Sequence, residues 1–150
     1  MANIKNPVTV IQSQKFKQIV DRSITTITAD DLAGITIIGV SALYNCTRLI
    51  SVTLPNNITT ISGNAFAYST ALQHVLIGTG LLNIGPSAFN ACTSLQDITI
   101  LTTTPPTLEN INSFNNTNNC PIYVPPDSVT AYKAATNWAD LASRIQAIPS

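Results

Sequence analysis

The chain has 150 residues, 45% of them hydrophobic, and its seven basic and seven acidic side chains cancel to a net charge of zero. That length suits one domain with a sizeable core. Charged residues reach only 9%, far below the usual share of about 25%. No basic stripe is available to neutralise phosphates, so nucleic-acid binding lacks its main driving force.

The polar surface must therefore come from Thr, Asn, Ser and Gln, and weak colloidal repulsion favours a place inside a larger assembly. The N-terminus, MANIKNPVTVIQSQKFKQIV, has no apolar h-region and does not read as a secretory signal. No apolar run approaches the ~20 residues that span a bilayer, so membrane insertion is not expected. Residues 1–14 fit neither a repeat nor a cap. Pro7, Val8, Val10 and Ile11 suggest an extended arm, read either as a frayed terminus or as an attachment strand that adds to a partner's sheet edge. Residues 15–37 read as an N-terminal cap. Phe16, Ile19 and Val20 have helical spacing, Ile24 and Ile27 an incomplete strand, and Asp30, Asp31 and Leu32 a short turn leading into Ile35.

From Ile38 a pattern recurs every 23 residues: IGVSALYNCTRLISVTL, then ISGNAFAYSTALQHVLI from Ile61, then IGPSAFNACTSLQDITI from Ile84. A fixed period of this length predicts a solenoid whose rungs bury their apolar faces only by stacking. Ala42, Ala65 and Ala88 coincide, followed by Leu43, Phe66 and Phe89, then Cys46, Ser69 and Cys92, then Leu49, Leu72 and Leu95. Val52/Leu54, Val75/Ile77 and Ile98/Ile100 alternate with outward residues at a period of two, which predicts one half-buried strand per rung, paired in parallel with the next. Pro86, ahead of Ala88 and Phe89, predicts a short helical or 3₁₀ turn before each strand.

Residues 101–120, LTTTPPTLENINSFNNTNNC, break the pattern and read as a protruding loop within rungs spanning 38–124. Phe114 and the Ile122/Val124 pair nevertheless continue a worn fourth rung. From Pro125 the chain reads as a C-terminal helical cap. Asp127 or Ser128 would cap a helix carrying Val129, Tyr132 and Ala135, and Asn137 a second one carrying Trp138, Leu141, Ala142 and Ile145.

The string IG-x-x-AF-x-x-C-T-x-L-x-x-[VI]-x-[LI], over roughly residues 35–100, resembles the BspA-like leucine-rich repeat of the cell-surface-antigen type. The tail IYVPPDSVTAYKAATNWADLASRIQAI resembles the ending of many such proteins. The resemblance implies an α/β solenoid, a short right-handed leucine-rich-repeat stack, with no enzyme activity and no cofactor. Similar repeats occur in bacteriophage structural proteins and bacterial surface antigens. The implied role is a virion-associated decoration, fibre or baseplate component, or alternatively a bacterial surface adhesin for host matrix or glycans. Expected partners are other virion or surface proteins, with glycans and a homo-oligomer also open.

Two constellations bear on chemistry. Cys46 and Cys92 share a repeat position two rungs apart, about 10 Å at the usual strand spacing, beyond disulfide reach. No Cys/His spacing suggests zinc. Ser51, His74 and Asp97 share one outward position on successive rungs, but ladder neighbours about 4.8 Å apart on an open face predict a solvated column and not a catalytic triad. With Thr53, Leu76 and Thr99 beside them, these six residues form the candidate binding face.

Overall fold

The computed structural model describes Ile19 and residues 21–150. The expectations for Pro7, Val8, Val10, Ile11, Phe16 and Val20 lie outside the described residues. Among the described residues no helix is long and apolar enough to cross a membrane.

The outward/inward alternation becomes two parallel sheets. The larger contains β1 (Thr26–Ile27), β3 (Ser51–Leu54), β5 (His74–Ile77), β7 (Asp97–Ile100), β9 (Ile122–Val124) and β10 (Ile145–Ala147), in that spatial order. The smaller contains β2 (Ile37–Ile38), β4 (Thr60–Ile61), β6 (Asn83–Ile84) and β8 (Thr107–Leu108). Every strand in each sheet is one rung further along the chain, so Val52 faces Val75 and Val75 faces Ile98. Ile38, Ile61, Ile84 and Leu108 stack likewise in the second sheet. All of these side chains are buried between the sheets.

The segment ahead of each long strand departs from expectation. It contains no helix in the three central rungs. Residues Ser41, Asn45, Asn64, Tyr68, Ser87 and Ala91 take φ between 56° and 63°, the left-handed region. Each such residue other than Gly, Asn or Asp costs about 1–2 kcal/mol. The compensation is a third ladder: Leu43 N–H donates to Ala65 O at 2.7 Å, Phe66 N–H to Ala88 O at 2.7 Å, and Phe89 N–H to Ser113 O at 2.9 Å. A continuous helix would turn these donors back on their own segment, whereas the kinked turn points alternate N–H groups at the next rung.

Inside this turn runs an aromatic column. Phe66, Phe89 and Phe114 stack with centroids 5.1 and 5.7 Å apart and planes within 8°. Trp138 closes the column at 5.8 Å from Phe114, and Tyr132 meets Trp138 edge-on at 5.1 Å. The neighbouring column is polar but satisfied. The Ser69 hydroxyl donates to Leu43 O at 2.9 Å, and the Cys92 thiol to Phe66 O at 3.1 Å. At Ser69 and Cys92 a small side chain that donates one hydrogen bond fills the position. Gly80 serves rung packing: a methyl group there would run into the Asn56 carbonyl oxygen.

The expected protruding loop at 101–120 is instead drawn into the stack. Thr107–Leu108 pairs with Asn83–Ile84, and Ile111–Phe114 forms a 3₁₀ turn that places Ser113 and Phe114 in the core. Asn110 caps that turn through its side chain, which accepts from Asn112 N–H at 2.9 Å. The Asn112 side-chain carbonyl accepts from Ser87 N–H at 3.0 Å, replacing a backbone acceptor of the third ladder. At the other end, the segment expected as an N-terminal cap holds the opening strand as β1, and β2 begins at its last residue, Ile37; both strands pair into the sheets.

The C-terminal cap is only partly helical. Val129–Ala134 is an α-helix and Trp138–Arg144 a 3₁₀ helix, but Ile145–Ala147 leaves the helix as β10 and pairs in parallel with β9. Neither Ser128 nor Asn137 caps through its side chain. Asn137 Nδ2 instead donates to Leu108 O at 2.7 Å and Trp138 Nε1 to Pro106 O at 2.8 Å, satisfying one carbonyl of β8 and the carbonyl just ahead of it. Arg144 donates to Cys120 O at 2.9 Å and to the Thr117 hydroxyl at 2.8 Å.

The aromatic column predicts a steep local cost. Phe89→Ala removes a fully buried ring from the middle of the stack and lowers stability by about 3–5 kcal/mol, whereas Thr70→Ala on the exposed turn changes it by about 0.5 kcal/mol or less. Urea titration of both variants checks the contrast.

A candidate binding face

The outer face of the larger sheet presents two straight columns. Ser51, His74 and Asp97 are register partners, as are Thr53, Leu76 and Thr99. Tyr123 extends the second column beyond Thr99. Leu76 is 38% exposed, a large apolar side chain set among small polar ones.

One contact goes beyond what backbone spacing suggests. His74 Nδ1 lies 2.8 Å from Asp97 Oδ2, so the side chains lean together and close the gap between strands. The two side chains are 50% and 31% exposed. A side-chain contact this open to solvent contributes about 0–1 kcal/mol. Among the described residues no hydrogen bond links Ser51 to His74. The strand amides around Ser51 belong to the ladder, so they are not free to hold an oxyanion. A nucleophile without its base contact and without oxyanion donors is a hydroxyl on a wet surface.

The three thiols are free and buried. Burial pushes the Cys46 pKa up to about 11, partly opposed by Arg22, and that of Cys92 up to about 12. Burial also raises Cys120, against the pull of Arg144. Such thiols remain protonated and unreactive at neutral pH. Among the described residues no cluster of His, Cys, Asp and Glu could hold a metal ion.

Three surface features carry no signal in the repeat alignment. Tyr44 and Tyr68 stand exposed on the turn side with ring centroids 5.5 Å apart. Two shallow clefts of about 260 and 370 Å³ flank Pro105–Pro106, one walled by Leu82 and Thr104, the other by Glu109 and Trp138. Leu82, at 67%, is the most exposed large apolar side chain described.

A family model described as BspA type Leucine rich repeat region matches residues 9–136 in six copies. The match runs through both the segment expected as an N-terminal cap and the segment 101–120. No curated protein matches the chain.

Two outcomes follow for these groups. A serine-directed fluorophosphonate probe leaves Ser51 unlabelled under conditions that label a serine hydrolase, checked by mass spectrometry of the tryptic peptide. For the thiols, the folded pKa lies above the ordinary 9.0, so their contribution is fully present below pH 9 and is lost as pH rises through 11 to 12. The urea midpoint in reductant therefore falls between pH 8.5 and pH 11, and falls less in Cys92→Ser, whose hydroxyl does not ionise there.

Proposed function

The chain belongs to the BspA-type leucine-rich repeat family, and from that premise we propose that it is a bacteriophage virion-associated component, of the decoration, fibre or baseplate kind. In this role it docks through the outer face of its larger sheet. Repeats of this family are typically non-catalytic binding modules that mediate protein–protein contact. The observation that carries the reading is the continuity of Ser51, Thr53, His74, Leu76, Asp97, Thr99 and Tyr123 over adjacent strands. A broad rigid face of small polar groups around one exposed leucine suits a wide contact with another protein. Charged residues at 9% add support, because a surface so poor in charge is better suited to an assembly than to free solution. Occurrence of similar repeats in phage structural proteins enters as analogy.

The exposed Tyr44–Tyr68 pair favours a second reading, a bacterial surface adhesin that meets host matrix or glycans. In either reading residues 1–14, with Pro7, Val8, Val10 and Ile11, are the candidate attachment arm.

Mass spectrometry of purified particles from the native source separates the two. The virion reading expects the chain in stoichiometric amount, and its absence from particles discards that reading. Leu76→Arg, on the outer face, is expected to reduce incorporation into particles at least tenfold while leaving the urea midpoint within experimental scatter.

A further inference from the structure

Within the rungs, the position of Tyr68 is left-handed every time: Asn45 at φ 57°, Tyr68 at 62°, Ala91 at 63° and Asn116 at 56°. Asparagine, which stands there twice, tolerates this conformation, whereas an aromatic residue is an outlier in it. The rung architecture does not ask for a tyrosine, because Asn and Ala fill the same place. Nor does it ask for one at Tyr44, whose equivalents are Ala67 and Asn90. Both rings remain 37% and 45% exposed, so neither is used to fill the core. Strain carried by an exposed aromatic side chain points to recognition.

The rings come from adjacent rungs, with centroids 5.5 Å apart and planes tilted by 60°. Around them the turns carry Asn45, Thr47, Thr70, Asn90 and Thr93, together with Arg48, and Arg22 stands near Cys46. Among the described residues no hydrogen bond engages the side-chain amides of Asn45 and Asn90. Amides carry donor and acceptor together, and so match neighbouring hydroxyls. Aromatic rings present apolar faces suited to the C–H faces of a pyranose. An anionic partner would find only Arg48 and Arg22 to pair with.

We propose that Tyr44 and Tyr68 form a binding site for a neutral polysaccharide, with successive sugar rings resting on the two tyrosines and Asn45 and Asn90 holding hydroxyls. The 60° tilt selects a chain whose sugars turn relative to one another over a flat ribbon. The site rests on and deepens the second, host-surface reading given above; it lies on the turn side and is independent of the strand face. Absence from particles leaves it standing, and its own failure leaves the virion reading standing.

Affinity electrophoresis of the full chain in native gels tests the proposal, with soluble mannan, laminarin, glycogen and hydroxyethylcellulose as the neutral probes and heparin as the anionic one. The expected result is retardation by at least one neutral polysaccharide. Retardation should weaken at least tenfold in Tyr44→Ala and in Tyr68→Asn, survive in Tyr68→Phe, and be unchanged in Leu76→Arg. Tyr68→Asn installs the residue that two other rungs carry at this place, so a folded variant is expected. No retardation by any neutral probe overturns the proposal. So does equal retardation of the tyrosine variants, or retardation by heparin alone that disappears in salt.

Discussion

Everything in this molecule depends on the backbone of one rung finding the backbone of the next in a single register. The bonds run in three columns: two sheets, and a turn column that is not a strand but is hydrogen-bonded like one. Once Val52 is opposite Val75, the same chemical type must recur at each inward position, because each side chain packs on its own counterpart one rung away. The Phe66–Phe89–Phe114 stack is the most demanding case, and it is closed by Trp138 where the repeat ends. Even the polar interior obeys this constraint. Ser69 and Cys92 each return one hydrogen bond to a carbonyl of the preceding rung, and among the described residues no buried side-chain polar atom is left without a partner.

Much of this was legible in the residues, since a period of two within strands and of 23 between them maps directly onto burial. The parts that were not legible have specific causes. A short helical turn and a left-handed kinked turn bury the same residues, Ala88 and Phe89, so spacing alone does not separate them; the direction of the amides does. Residues 101–120 looked like a loop because Thr, Pro and Asn dominate their composition. The register survives there through Leu108 and Phe114, with Asn112 lending a side-chain acceptor where the backbone drifts. Ile145 continued an apolar helical spacing from Trp138 and Leu141, yet three residues are enough to extend a sheet whose edge strand, β9, is already in place.

The candidate site was read from backbone geometry, and its surprise lies in side-chain reach. Strand spacing correctly places His74 and Asp97 on adjacent rungs, but it says nothing of how far an imidazole and a carboxylate can lean. They meet at 2.8 Å. Tyr44 and Tyr68 escaped attention for the complementary reason: they sit at different positions within their rungs, so a column-by-column alignment never pairs them. A diagonal contact across a ladder is invisible to a periodic reading. The strand face and the turn face thus differ in kind. One is a regular field of small polar groups, and the other carries two rings that the repeat does not call for.

The C-terminal cap is fastened by side chains to carbonyls of the last rung: Asn137 to Leu108, Trp138 to Pro106, Tyr132 to Thr102. None of these attachments reaches past that rung. The cap therefore recognises an ending and is blind to how many rungs precede it. A lineage of such chains can gain or lose whole rungs by tandem duplication or deletion in the gene, with both termini intact. Length then becomes a quantised trait, and the span of such a module can evolve in steps of one strand spacing.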